Sequence, residues 1–211
     1  MPVPNKPKFL DSYRPVERHS RRLPHRQQGG ITYFVTWRLA DAMPKSEFMK
    51  LQFERDIWLN GHPQPWSRET ESEYWKRFGD RIDQMLDVGR GSCLLNQKKI
   101  RRIVDHALMH FDEKRYSLLS FVTMPNHVHA LFALHQGNKL QQTIQSWKSF
   151  TSKTINKKLH RNGRLWQPEY WDKMIRGEKH LLKVKEYIRN NPIKARLRPH
   201  QFSFYEASTQ T

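Results

Sequence analysis

The spacing of apolar residues divides this chain into four strand-like and three helical segments. Strands are predicted where side chains alternate between apolar and polar, or form short β-branched runs, and helices where apolar residues recur every three or four positions. In chain order the pattern predicts strand 31–39, helix 97–111, strand 115–122, strand 127–134, helix 140–159, a partly extended segment in 165–175, and helix 178–190. This order is typical of a ferredoxin-like α+β sandwich, one antiparallel sheet with helices on one face.

The remaining segments are polar, and they define the predicted domain organisation. Residues 1–30 form a basic N-terminal arm without a core of its own, and residues 31–197 form the folded domain. A helical insertion at about 44–90 follows the first strand. Pro192 is expected to end the last helix, because the residue before a proline disfavours the helical region. Residues 198–211 are expected to be a loop-like C-terminal tail.

The charge of the chain indicates a polyanionic partner. Lys and Arg number 38 against 20 acidic residues, a formal net charge of +18 in 211 residues. Such an excess repels itself unless it meets a polyanion such as nucleic acid. Seven Trp in this polar chain favour the same partner, since aromatic rings stack on unpaired bases. A single cysteine and the lack of an apolar run of membrane-spanning length favour a cytoplasmic protein with no membrane partner.

Two histidines on the third strand are the first candidates for chemistry. Side chains on a strand alternate between its faces, so His127 and His129 point the same way and Val128 points to the opposite face. Two neighbouring imidazoles on a rigid strand form half of a site for a divalent metal ion. A hydrogen-bonded or solvated pair is the alternative interpretation, and a metal would need a third ligand from elsewhere in the chain.

A tyrosine on the last helix is the second candidate. Tyr187 and Asn191 are four residues apart, so they lie one turn apart on the same helix face. Leu181, Val184 and Ile188 give this helix a buried side. A tyrosine at the margin of such a stripe is more often a packing residue than a nucleophile, so spacing alone leaves its role open.

Three ordered motifs, at residues 124–129 (MPNHVH), 165–172 (LWQPEYWD) and 187–192 (YIRNNP), resemble the REP-associated tyrosine transposases. These are relatives of the IS200/IS605 single-tyrosine transposases and belong to the HUH endonucleases. Residues 22–25 (RLPH) and 33–41 (YFVTWRLAD) are similar to the start of that family. The resemblance extends over about residues 21–197, and three motifs in order are more specific than any one alone.

The resemblance implies a fold, a reaction and a set of roles. His127 and His129 would be the metal-binding histidines, Asn191 would complete the metal shell, and the metal would be Mg²⁺ or Mn²⁺. Tyr187 would attack phosphorus and form a 5′-phosphotyrosine link with a free 3′-hydroxyl, which later rejoins the strand. The implied function is metal-dependent DNA transposition and recombination, by nicking and rejoining single-stranded DNA at hairpin-forming repeats.

One position departs from the family pattern. Relatives often carry a histidine after the acidic residue of the second motif, whereas Lys173 follows Asp172 here. Asn191, His180 or water would then complete the metal shell. A non-catalytic, sequence-specific hairpin-binding protein of the same fold is therefore an alternative. A metal-dependent hydrolase is less favoured, because no carboxylate cluster accompanies the histidines. Tyr170, within the second motif, is the second candidate for the nucleophile.

Single-stranded or hairpin DNA is the expected partner, bound by a monomer or a homodimer. The arm and the first strand are expected to reach unpaired bases beside the hairpin, and the basic side of helix 140–159 is expected to contact phosphates. Trp166 is a candidate for base stacking, although core packing is the favoured alternative for it. The candidate DNA-binding residues are Arg21, Arg22, His25, Arg38, Lys148, Lys153, Trp166, Gln167 and Arg176.

Overall fold

A five-stranded antiparallel sheet organises the molecule. The computed structural model describes residues 7–11, 13, 17–20, 24–63 and 66–208. Strands β1 and β2 pair with each other in a separate two-stranded sheet, and β3 to β7 form the main sheet. The strands are β1 (Glu17–Ser20), β2 (Pro24–Gln27), β3 (Thr32–Arg38), β4 (Tyr116–Thr123), β5 (His127–Leu134), β6 (Trp171–Met174) and β7 (Ser203–Glu206).

The main sheet has the strand order β6-β3-β5-β4-β7, with antiparallel neighbours throughout. Read across the sheet, the four sandwich strands β6, β3, β5 and β4 are the fourth, first, third and second of the four along the chain, which is the ferredoxin-like arrangement. The α+β sandwich predicted from the sequence is confirmed. The β-branched and aromatic residues of β3 suit its position between two neighbouring strands.

Six α-helices connect or flank these strands in the described part of the chain: α1 (Lys45–Gly61), α2 (Arg68–Tyr74), α3 (Asp80–Asp87), α4 (Lys98–Met109), α5 (Leu140–Lys158) and α6 (Glu178–Lys194). A π-helical turn, Trp75–Gly79, joins α2 to α3 without a break. The helices α1 to α3 form the polar segment between β3 and α4 that the sequence predicts as an insertion.

Helices lie on both faces of the sheet, which corrects the expectation of helices on one face. The larger core lies on one face, where Val128, Ala130 and Phe132 of β5 pack with apolar residues of α4, α5 and the insertion. A smaller core lies on the opposite face, where Leu131 of β5 packs with residues of α6, including Ile188. The apolar stripe of α6 does not indicate which face of the sheet the helix covers, because both faces of β5 are buried.

The C-terminal segment is more ordered than the sequence pattern predicts. Residues 203–206 form β7, which pairs with β4 and adds a fifth strand to the sheet. The ring of Tyr205 stacks on the ring of Phe121, with centroids 5.4 Å apart. The last helix also continues through Pro192 to Lys194, beyond the predicted end. A proline in the last turn removes one helical hydrogen bond, and the buried packing of Asn191 and Pro192 offsets that loss.

Part of the N-terminal arm contacts the sheet rather than lying apart from it. The backbone N–H of Thr32 donates to the carbonyl of Lys8 at 2.8 Å, and that of Leu10 donates to Ile175 at 2.9 Å. Leu10 also packs against the larger core. Arg21 and Arg22 lie outside the described residues, as does the side chain of His25. Across the described ranges, no helix is long and apolar enough to span a bilayer.

Candidate active site

The histidine pair lies on the α6 face of β5, at the centre of the sheet. Both side chains are almost fully buried, and their Nε2 atoms lie 3.0 Å apart. Two nitrogen ligands about 2.1 Å from one ion and at right angles would lie about 3.0 Å apart. The spacing of the two imidazoles is therefore suited to chelation of a single metal ion.

Asn126, the residue before the pair, fixes the tautomer of His127. Its Nδ2 donates to the carbonyls of Leu86 at 3.1 Å and Arg90 at 3.3 Å, so its Oδ1 faces His127. Because Oδ1 can only accept, His127 Nδ1 donates to it at 2.7 Å and Nε2 is left as the lone-pair nitrogen. The loop after α3 thus orients the first histidine through one carboxamide, as second-shell partners orient metal-binding histidines elsewhere.

The second histidine has a partner that can serve either tautomer. His129 Nδ1 lies 2.7 Å from the hydroxyl of Thr36, which can donate or accept. The ring of His129 also stacks on Phe34, with centroids 5.5 Å apart. His129 is consequently held in orientation while its Nε2 can either donate to His127 or carry a free lone pair.

Both imidazoles are neutral at physiological pH. Burial, with a smaller contribution from the nearby Arg38, lowers the pKa of His127 to about 3. Burial also holds the pKa of His129 well below its usual range, with His127 and Lys194 adding to the effect. Neutral imidazole is the form that binds a metal ion, so the pair needs no deprotonation before binding.

Asn191 supplies the oxygen atom that fits a third ligand. Its side chain is buried, and it acts to raise the pKa of His127, which places it beside that imidazole. Among the described residues, no group donates a hydrogen bond to its Oδ1. A buried amide oxygen without a partner is costly, and oxygen ligands suit Mg²⁺ and Mn²⁺. The donor set therefore fits a divalent ion, although no cluster of three His, Cys, Asp or Glu residues able to hold a metal occurs among the described residues.

Tyr187 lies directly beside this donor set. Its ring packs edge-on against His129, with centroids 5.3 Å apart, and against Phe34 at 5.7 Å. Its hydroxyl accepts a hydrogen bond from Asn191 Nδ2 at 3.2 Å. The paired histidines, the tyrosine and the asparagine thus converge at one place on the α6 face of the sheet.

Asp83 of the insertion accepts a hydrogen bond from this tyrosine. The Tyr187 hydroxyl donates to the Asp83 carboxylate, and burial raises the pKa of Asp83 to about 7. Burial first, and then the negative charge of Asp83, raise the pKa of Tyr187 above its ordinary value. The hydroxyl is consequently protonated in this arrangement, with a carboxylate of near-neutral pKa in contact with it.

Lys173 and His180 lie near the tyrosine but do not extend the histidine pair. Lys173 is opposite Phe34 on β6, and its ammonium lies 4.2 Å from the centroid of the Trp75 ring. Burial lowers the pKa of Lys173. His180 Nδ1 accepts a hydrogen bond from the backbone N–H of Arg176 at 3.3 Å, so this nitrogen already has a donor partner. Of the two candidate third ligands, Asn191 adjoins the histidine pair and His180 does not.

Several residues expected to bind DNA have partners inside the fold. Trp166 is 4% exposed and its Nε1 donates to Thr151 at 2.9 Å, so the stacking role predicted for it is wrong and core packing applies. Gln167 Nε2 donates to the carbonyl of Ala40 at 2.7 Å. Lys148 Nζ donates to the carbonyls of Gln167 at 2.6 Å and of Pro168 at 2.8 Å. Lys148 therefore supports the loop before β6, whereas Lys153 is exposed.

Arg38 and Arg176 have distinct surroundings. Arg38 is 2% exposed, lies opposite His127 on the neighbouring strand, and stacks over the Phe48 ring at 4.3 Å. Its Nε and Nη2 make no hydrogen bond to any residue in the described ranges, and burial lowers its pKa to about 10. Arg176 forms an ion pair with Glu71 of α2. The structure thus places Arg38, but not Arg176, next to the histidine pair.

Tyr170, the second candidate for the nucleophile, is 7% exposed and belongs to the larger core. Burial raises its pKa, with Asp172 and Glu169 adding to the effect. The geometry therefore favours Tyr187.

Sequence reasoning missed three contributors to this site, namely Asn126, Thr36 and Asp83. Asn126 lies in the turn before β5 and Thr36 lies on β3, and neither position by itself indicates a role beside the histidines. Asp83 carries a sequence signal, because Asp80, Asp83 and Asp87 recur at helical spacing on one side of α3. That spacing is equally typical of a solvated helix face, so only the packing of α3 beside α6 reveals its role.

Comparison with known proteins matches the segment that contains the histidine pair and Tyr187. Residues 90–191 match the family model described as "Transposase IS200 like". A Haemophilus influenzae protein named "Putative REP-associated tyrosine transposase" is 27% identical over 89 residues, 37% of this chain and 51% of that protein. An uncharacterized protein of the same organism is 30% identical over 137 residues, 55% of this chain and 72% of that protein. The chain thus spans about half the length of the first of these relatives.

Two solved structures are also similar at low sequence identity. One is the structure of a REP-associated tyrosine transposase bound to a REP hairpin, with 17% identity, a TM-score of 0.45, and coverage of 79% of this chain and 69% of that one. The other is a crystal structure titled as a putative transposase from Deinococcus radiodurans, with 14% identity, a TM-score of 0.36, and coverage of 76% and 90%.

Proposed function

We propose that this chain, which belongs to the IS200-like transposase family, cleaves and rejoins single-stranded DNA through Tyr187, next to hairpin-forming repeats. The name of the Haemophilus influenzae relative supports REP elements as the class of repeat. The net charge of +18 supports a nucleic-acid substrate independently of the family.

The convergence of Tyr187 with His127, His129 and Asn191 carries this proposal. The tyrosine ring packs on His129, and its hydroxyl is hydrogen-bonded to Asn191, whose other amide atom is free to bind a ligand. A purely structural tyrosine would not require a neutral histidine chelate and a partnerless amide oxygen beside it. A scissile phosphate at this point would meet the nucleophile and the metal-binding atoms together.

The proposed reaction exchanges one phosphodiester bond for another. The Tyr187 oxygen forms a bond to phosphorus, and the bond from phosphorus to the 3′ oxygen of the preceding nucleotide breaks. The tyrosine proton passes to Asp83, and the departing 3′ oxygen takes a proton from solvent water to become a hydroxyl. The downstream strand stays attached through a 5′-phosphotyrosine, and attack by a 3′-hydroxyl reverses the step without another energy source.

The residues of this chain would prepare the reacting groups in three ways. Asn191 Nδ2 and the Asp83 carboxylate orient the Tyr187 hydroxyl from two sides. His127, His129 and the Oδ1 of Asn191 would hold Mg²⁺ or Mn²⁺. When bound, such an ion supplies neutralisation of the phosphate charge and orientation of its oxygens. Arg38, buried beside His127 with unused donors, is suited to add a fixed positive charge.

A covalent-capture assay tests the proposal. The protein would be incubated with a single-stranded hairpin oligonucleotide, in Mn²⁺ or in EDTA, and resolved on a denaturing gel. We expect a 3′-terminal label to migrate with the protein and a 5′-terminal label to leave as a shorter strand with a 3′-hydroxyl. Both products should require the metal ion.

Matched tyrosine variants identify the nucleophile. Tyr187→Phe should abolish the covalent adduct while hairpin binding persists, whereas Tyr170→Phe should retain the adduct. An adduct that survives in Tyr187→Phe would assign the nucleophile elsewhere. Hairpin binding without any adduct, in every metal tried, would favour a non-catalytic binding protein of the same fold.

A further inference from the structure

A cavity of about 260 Å³ lies between the insertion and α6, directly beside the Tyr187 hydroxyl. Its aromatic walls are Phe34 of β3, Trp75 of the π-helical turn and Trp171 of β6. Its charged lining residues are Lys173 and Lys183, together with Asp80 and Asp83 of α3. The histidine pair does not line it, so this space is separate from the metal-binding atoms described above.

We propose that this cavity receives one unpaired nucleobase of the DNA strand, the base next to the cleaved bond. This inference rests on the proposed function, since it assigns the substrate position that Tyr187 would attack. The cavity is smaller than the roughly 300–1,000 Å³ of sites for drug-sized ligands, and so it suits a single flat group. A strand whose phosphate reaches Tyr187 must place an adjoining nucleotide at this opening.

The chemistry of the walls matches a nucleotide rather than an apolar ligand. Exposed aromatic faces bind unpaired bases by stacking, whatever the base identity. The Lys173 ammonium already rests over the Trp75 ring at 4.2 Å, as a cation–π pair. A base that stacks on Trp75 would displace this flexible side chain, and its ammonium would then be placed to meet the phosphate of the same nucleotide.

The insertion shapes this cavity through a glycine. A Cβ added to Gly79 would lie 2.8 Å from the Trp75 ring, so only glycine allows the ring to lie against the helix at that point. Trp75 also packs edge-on against Trp171, with centroids 5.9 Å apart. The indole wall is consequently fixed by its neighbours before any DNA binds, which lowers the entropic cost of base binding.

An abasic scan tests the proposal. A labelled hairpin oligonucleotide would carry a single abasic site at each unpaired position in turn, and affinity for Tyr187→Phe protein would be measured by fluorescence anisotropy. We expect one position, adjacent to the cleaved bond, where loss of the base weakens binding about 10-fold. Adding Trp75→Ala should weaken the intact oligonucleotide by a similar factor and make that position insensitive to base loss.

Two control variants separate stacking from general damage to the insertion. Trp75→Phe keeps an aromatic face and should retain most of the abasic effect. Trp66→Ala removes another partly buried indole of the insertion that does not line the cavity, and the abasic effect should persist in it. Thermal melts would establish that each variant is folded before its affinity is compared.

The outcomes distinguish this inference from the proposed function. If wild-type protein forms the covalent adduct but no abasic position is coupled to Trp75, the cavity does not hold a base and the proposed cleavage stands. If neither binding nor an adduct is observed with any hairpin, both are wrong. If loss of the base weakens binding equally with and without the Trp75→Ala substitution, the base binds outside this cavity.

Discussion

Asn126→Ala should separate the metal-binding role of the histidine pair from its packing. The substitution removes three buried hydrogen bonds, two donated to the carbonyls of Leu86 and Arg90 and one accepted from His127 Nδ1. At about 1 kcal/mol each, their loss should lower the free energy of unfolding by about 3 kcal/mol. Because His127 also loses the partner that fixes its tautomer, Mn²⁺ affinity should fall by about 10- to 100-fold.

The comparison with Asn126→Asp sharpens this prediction. Aspartate retains an acceptor for His127 Nδ1 but loses both donors, so it should reduce stability while Mn²⁺ affinity stays close to that of the wild type. Urea denaturation in EDTA would give the stability, and calorimetric titration with Mn²⁺ would give the affinity. Asn156→Ala, which removes one exposed hydrogen bond to Gly163, is the control and should change neither quantity appreciably.

One result would refute the reasoning. If Asn126→Ala loses stability as calculated but binds Mn²⁺ within about twofold of the wild type, orientation of His127 by Asn126 has no bearing on a metal site. If Asn126→Asp loses as much metal affinity as Asn126→Ala, the acceptor on this side chain is not what matters.

Three further predictions concern pH, the basic helix and the arm. In EDTA, the free energy of unfolding should fall as pH drops from about 6.5 toward 3, because the unfolded chain protonates His127 while the folded chain does not. At pH 5 the loss amounts to about 2 kcal/mol. Urea titrations of His127→Gln should show a weaker pH dependence of this free energy, and an unchanged pH dependence would contradict the reasoning. Lys153→Ala should weaken hairpin binding and flatten its salt dependence without changing the melting temperature. Lys148→Ala should lower the melting temperature, because the Lys148 ammonium donates to two backbone carbonyls. Equal melting temperatures for the two variants would contradict this difference in role. Arg21→Ala with Arg22→Ala should reduce discrimination between sequences flanking the hairpin in competition binding, and unchanged discrimination would exclude the arm from recognition.

The strongest local patterns in the sequence predicted the centre of the fold. Strict alternation placed His127 and His129 on one face of β5, and helical spacing placed Tyr187 and Asn191 on one face of α6. Both patterns depend only on backbone geometry, so they survive whatever the tertiary packing is. The strand–helix order then sufficed for the sandwich, because few antiparallel sheets accommodate that order.

What the sequence could not predict depends on packing between distant segments. The strand β7 has only four residues, and its position is decided by pairing with β4 and by the Tyr205 ring on Phe121. Asp83 contacts Tyr187 only because α3 folds back beside α6. Core packing is the favoured interpretation of Trp166 from the sequence, but the neighbours that bury it, Trp37 and Thr151, depend on the fold. The spacing of residues along the chain is not enough to predict any of these contacts.

The most direct test of the central claim is the identity of the residue that carries DNA after cleavage. The covalent adduct would be digested with nuclease and trypsin, and the peptides would be analysed by mass spectrometry. Cleavage after Lys185 and Arg189 releases residues 186–189, and we predict that this peptide carries a nucleotide joined through its 5′ phosphate to Tyr187. A nucleotide on the peptide that contains Tyr170, or on any peptide other than residues 186–189, would contradict the account.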